Sequence, residues 1–139
     1  MFSFHHVALS VSDMDESVVF YGLLGFKPVF RWQAEDASLV IVHLRQGEAL
    51  LELFCFASSV AAPESSGQLE TELPRIGIKH FGVRVDDIHV AKARVESMGL
   101  ANAVNIVQGR TGIDYFFIKD PSGILVEIVQ DDRIFFARN

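Results

Sequence analysis

The sequence predicts an α+β fold: two βαβββ repeats whose mixed sheets curve into a cup with the helices outside. Three observations carry that expectation. The stretch HVALSVSDMDESVVFYGLLGF, His6 to Phe26, recurs 74 positions later as HFGVRVDDIHVAKARVESMGL, His80 to Leu100. His6 falls on His80, Val11 on Val85, Asp13 on Asp87 and Gly25 on Gly99, so each copy is expected to be one supersecondary unit. The copies also end alike: ALLELF, with Glu52, is answered 75 positions on by ILVEIV, with Glu127. Between opening and ending, strict alternation gives way to a helical stripe and then returns.

The elements follow in order. In HVALSVSD, Val7, Leu9 and Val11 point one way, and His6, Ala8 and Ser10 the other. Asp13 reads as a helix N-cap with Glu16 three residues on, a capping-box spacing. The helix runs to about Leu24, where Gly25 supplies a left-handed terminus. A strand is expected over Lys27–Trp32 and a polar turn over Gln33–Ala37. A hairpin of Ser38–Arg45 and Glu48–Phe56 then turns at Gln46-Gly47. Residues 57 to 76 lack periodicity, are rich in Ser, Ala, Glu and Pro, and read as a partly mobile linker.

The second copy opens with a strand over His80–Val85, an N-cap at Asp87 and a helix over Ile88–Met98. Ile88, Ala91, Val95 and Met98 form its apolar stripe. Strands are expected at Ala103–Gln108, Asp114–Ile118 and Ile124–Val129, the last hairpin turning at Asp120-Pro121-Ser122-Gly123. Residues 1–57 thus make the first module, 58–77 the linker, and 78–139 the second module with a C-terminal tail, one domain overall. In that tail Ile134, Phe135 and Phe136 are expected to pack against a partner or the sheet.

Composition narrows the function. Half of the 139 residues are apolar and 22% are charged, which suits a well-filled globular core. No apolar run approaches the roughly 20 residues that span a bilayer, and the N-terminus lacks the pattern of a signal peptide. A net charge of −6 argues against nucleic acid, whose binders carry a basic face. The one cysteine, Cys55, permits no internal disulfide and fits a reducing compartment; within LELFCF it reads as a buried structural thiol. The expectation is a soluble cytoplasmic protein with no membrane or nucleic-acid partner.

Four residues stand out chemically. Alternation puts His6 and His80 on the faces of their strands turned away from the helices. Glu52 and Glu127 share the equivalent faces of the last strands, since Leu51 and Leu53, or Val126 and Ile128, face the helix. Both glutamates interrupt apolar runs, where an unpaired carboxylate is costly. Two imidazoles and two carboxylates converging on the inside of a cup form a set suited to a divalent metal. His5 is expected to point to the opposite face from His6. His43 and His89 have no counterpart in the other half and read as structural or surface residues.

The doubled βαβββ unit, the HVALSVSDMDESVVFYGLLGF opening and the YFFIKDPSGILVEIVQ ending resemble the vicinal oxygen chelate superfamily. That superfamily takes in glyoxalase I, methylmalonyl-CoA epimerase, extradiol dioxygenases and the fosfomycin- and bleomycin-resistance proteins. The resemblance covers nearly the whole chain apart from the linker and tail. It implies one divalent ion per site, held by His6, Glu52, His80 and Glu127. The His-Glu-His-Glu order is similar to bacterial glyoxalase I, a lyase using Ni, Co, Zn or Mn, whereas a dioxygenase would use Fe with two histidines and one glutamate. It further implies proton transfer by Glu127, or next by Glu52, on a small-molecule substrate, and a homodimer. Glyoxalase I has an arginine four residues after its first ligand histidine; Ser10 stands there, and Arg84 takes the matching place in the second copy. The epimerases use a carboxylate between the second and third strands, where this chain has Glu35 and Asp36. The alternatives are a two-histidine, one-carboxylate dioxygenase and a non-catalytic binding protein of the bleomycin-resistance kind, the latter with Trp32, Tyr115 and Phe117 lining its pocket.

Overall fold

The computed structural model of the chain describes residues 1–133. Ile134, Phe135 and Phe136 lie outside the described residues. The chain divides into two compact units, Met1–Ala62 and a second from Pro63 onward. The first contains β1 (Val7–Ser10), α1 (Met14–Leu23), β2 (Lys27–Gln33), β3 (Leu39–Gln46) and β4 (Ala49–Phe56). The second contains a 3-10 turn (Glu64–Gly67), α2 (Leu69–Glu72), β5 (Phe81–Arg84), α3 (Ile88–Ser97), β6 (Val107–Gln108), β7 (Asp114–Lys119) and β8 (Leu125–Gln130). No described helix is long and apolar enough to cross a membrane.

Each unit holds one four-stranded mixed sheet, ordered β1-β4-β3-β2 in the first and β5-β8-β7-β6 in the second. The opening strand pairs in parallel with the closing strand, and the remaining pairs are antiparallel. This is the α+β architecture expected of a doubled βαβββ unit, because the helix between first and second strands acts as the crossover that a parallel pair requires.

Alternation decides what each sheet buries. In the first unit Val42, Leu44, Leu51 and Leu53 turn to the helix side and join Met14, Phe20, Tyr21 and Phe26 in a core. In the second, Phe116, Ile118, Val126 and Ile128 join Val83, Ile88 and Val95. Asp13 caps α1 by accepting from the Glu16 N–H at 2.9 Å. Asp87 caps α3 by accepting from His89 and Val90 N–H at 2.9 and 3.0 Å. Gly25 closes α1 at φ +97°, and a Cβ there would stand 2.7 Å from the Gln46 side-chain nitrogen. That nitrogen donates to the Leu24 carbonyl at 2.9 Å, so the β3–β4 hairpin satisfies the end of α1.

Two expectations are corrected. The strand expected at Ala103–Gln108 shrinks to Val107–Gln108, and Ala103 has φ +49°, a left-handed conformation that interrupts extended chain. The stretch read as a partly mobile linker carries a 3-10 turn and a short helix, closed by local bonds such as Leu73 N–H to the Leu69 carbonyl at 2.9 Å. Cys55 is half-buried rather than enclosed, since it lies next to the end of β4.

Candidate functional site

His6 immediately precedes β1, and Glu52 lies on β4 beside Ala8 in the parallel register. Because Ala8 has no side chain beyond Cβ, the imidazole two residues earlier can reach the carboxylate: His6 Nε2 stands 3.5 Å from Glu52 Oε1. The second unit repeats the arrangement. Gly82 of β5 lies beside Glu127 of β8, and His80 Nε2 stands 3.3 Å from Glu127 Oε2. A Cβ on Gly82 would touch Glu127 Oε2 at 3.4 Å, so the glycine leaves the carboxylate its space. The Asp120 turn sets the position of β8: its carboxylate accepts from Ser122 N–H at 2.9 Å and Ile124 N–H at 2.8 Å.

The structure thus brings the four expected ligands together as two pairs, each inside its own unit. Among the described residues no three His, Cys, Asp or Glu side chains gather into one metal-holding group. The separations within the pairs nevertheless fit cation ligands. Both exceed the 2.7–2.9 Å typical of a charge-assisted hydrogen bond. Two donors each about 2.0–2.2 Å from an ion stand about 2.8–3.6 Å apart at octahedral to tetrahedral angles. Nδ1 of His80 is buried without a hydrogen-bond partner among the described residues, so this ring has only its Nε2 side engaged, by the carboxylate.

His5 occupies a place other than the one expected, and His43 gains a partner. His5 was to face away from His6; instead the two Nδ1 atoms lie 2.8 Å apart, the rings edge to face. Both precede Val7, the first residue of β1, so strand alternation does not govern them. His43, expected to be structural or surface, sits opposite Glu52 across the β3–β4 ladder, with its Nε2 2.7 Å from Glu52 Oε2. The signal for it was present: reflecting Glu52 through the turn between Gln46 and Ala49 lands on His43. His89 is exposed at the start of α3.

The remaining candidates are placed as follows. Arg84 lies on the same face of β5 as Gly82, and its charge contributes to holding the Asp131 carboxyl low. Glu35 is exposed in the β2–β3 turn. Asp36 builds that turn by accepting from the N–H and hydroxyl of Ser38 at 3.0 and 2.6 Å. The hydroxyl bond is the main reason its carboxyl falls below the ordinary value. Trp32 is half-exposed on edge strand β2. Phe117 packs edge-on against His80, with ring centroids 4.9 Å apart, and against Tyr115 at 5.6 Å.

Comparison with known proteins agrees with this architecture. The chain is 31% identical over 130 residues to the uncharacterized protein YaeR of Escherichia coli K12, covering 91% of this chain and 94% of that one. It is 26% identical to the lactoylglutathione lyase of Schizosaccharomyces pombe, covering 93% of this chain but 45% of the yeast enzyme. A glyoxalase family protein from Enterococcus faecalis has the same fold, with a TM-score of 0.74 at 24% identity, over 91% of this chain and 96% of that one. The Glyoxalase/Bleomycin resistance protein/Dioxygenase superfamily model matches residues 3–128. With that match spanning both βαβββ units up to the last two residues of β8, the chain belongs to the glyoxalase/bleomycin resistance protein/dioxygenase superfamily.

Proposed function

We propose that the chain is a divalent-metal-dependent lyase or isomerase of the glyoxalase type, acting on a small substrate with oxygens on adjacent carbons. The observation that carries this reading is the repeated meeting of a histidine just ahead of the opening strand with a glutamate of the closing strand, at 3.5 and 3.3 Å. His6, Glu52, His80 and Glu127 would hold the ion, with Ni, Co, Zn or Mn suited to two nitrogens and two oxygens. When bound, such an ion supplies Lewis acidity toward the paired substrate oxygens.

The chain's own residues do the rest. Glu127 takes the carbon-bound proton and returns it to the neighbouring carbon, as a carboxylate within hydrogen-bond reach of both positions can. Glu52 is the second candidate for that base. Arg84, on the strand face it shares with Gly82, offers a cation to an anionic part of the substrate, and Glu35 is the outlying candidate for a substrate contact. The lactoylglutathione lyase among the relatives supports this class of substrate. The lone Cys55 supports a cytoplasmic setting, and Val29, Phe30 and Trp32, exposed on edge strand β2, support a homodimer.

The test is metal content of the purified protein beside Glu127→Gln and His80→Ala. Near-stoichiometric metal in the wild type, lost in both variants, is expected. Loss of the base should also lower turnover by about 10²–10⁴-fold. A wild type that neither carries metal nor is stabilised by Ni, Co, Zn or Mn overturns the reading and leaves a binding protein.

A further inference from the structure

The two units differ at one informative place. Across the β3–β4 ladder Glu52 faces His43; across the β7–β8 ladder Glu127 faces Phe117. The repeat therefore sets a hydrogen-bond donor against one glutamate and a hydrocarbon ring against the other. An ionised carboxylate can only accept, so His43 Nε2 donates to Glu52 Oε2, at 2.7 Å. The Phe30 ring, its centroid 5.3 Å from that of His43, flanks the imidazole.

The two oxygens of Glu52 are consequently divided. Oε2 belongs to His43, and Oε1 faces His6 at 3.5 Å. Among the described residues Glu127 has no such second imidazole: its Oε2 faces His80 at 3.3 Å and lies over the Cβ-less surface of Gly82. A carboxylate pinned through one oxygen keeps the other aimed. One contacted through a single long pair, with glycine beneath it, can turn.

We propose that His43 is a positioning residue that fixes Glu52 as a permanent ligand oxygen, leaving Glu127 as the carboxylate free to turn and carry protons. This rests on the metal-dependent reading above. Hydrogen bonds from outer residues to ligand carboxylates tune metal affinity by restricting the ligand's orientation.

The test is calorimetric titration of Ni²⁺ and of Zn²⁺ into the metal-free full chain, comparing wild type with His43→Phe, His43→Ala and His43→Gln. Phenylalanine reproduces the second unit's arrangement, alanine removes the donor without bulk, and glutamine keeps an N–H donor. His43→Phe and His43→Ala should weaken binding by about 10–100-fold, with the thermal midpoint of the metal-free protein unchanged. His43→Gln should stay close to wild type. A merely structural histidine would lower the metal-free midpoint instead. Wild-type affinity in His43→Ala overturns the proposal, as does a His43→Gln loss as large as the alanine loss, because the donor would then not matter. A wild type that takes up neither ion overturns the metal-dependent reading and this proposal together, which separates the two failures.

Discussion

Asp131 and Arg133 give the clearest electrostatic statement in the chain. The Asp131 carboxylate is 6% exposed and accepts from Arg133 through N–H, Nε and Nη2 at 3.0, 2.9 and 2.7 Å. The Arg133 side-chain hydrogen bonds are the largest cause holding the Asp131 carboxyl below its ordinary 3.8, with the charge of Arg84 a smaller contribution. The folded state therefore binds fewer protons at Asp131 than the unfolded chain does in acid. Its contribution to stability is fully present above 3.8 and is lost as pH falls through the lower, folded value. Asp131→Asn should consequently melt below wild type at neutral pH, with the gap closing as the pH drops below about 3.8. Melting curves from pH 7 downward check this, and a gap that stays constant would mean that shape rather than charge sets the effect. Asp36 works similarly, through Ser38.

At the level of elements, the two helix caps are matched in role and unequal in number of donors. Asp13 accepts one backbone N–H and Asp87 two. Asp87→Ala should cost about 1 kcal/mol in urea unfolding, within the range measured for such caps. Leu53→Ala, at a fully buried position of β4, should cost about 2–5 kcal/mol. Much of this level was legible in the sequence. Repetition and alternation located β1, β5, both long helices, their caps and the hairpin closing each half, and they assigned Glu52 and Glu127 to the correct faces. The true start of β6 was not legible, because ANAVNIVQ alternates as a strand does while Ala103 takes a left-handed conformation. There the Glu96 carboxylate, at the end of α3, accepts from Val104 N–H at 2.9 Å. His43 escaped because a side chain's partner across a ladder is a matter of register, which composition and period alone do not express. His5 escaped because it lies outside any strand.

For the whole molecule, every described strand pairing closes inside its own unit. Arg75, its side chain 70% exposed, lies between the two sheets in sequence. Brief trypsin treatment should therefore cut first after Arg75, and the nicked protein should keep its far-ultraviolet dichroism, since no ladder is severed. Loss of the β signal on nicking would show that the sheets depend on an intact chain. The same topology bears on how descendants of this gene can vary. Residues gained or lost between Phe56 and Phe81 shift no strand against its partner. One residue gained inside β3 or β7 turns a whole face over and carries a glutamate's opposite number out of reach. Length drift should gather in the connecting stretch over generations, while the spans from His6 to Glu52 and from His80 to Glu127 keep their count.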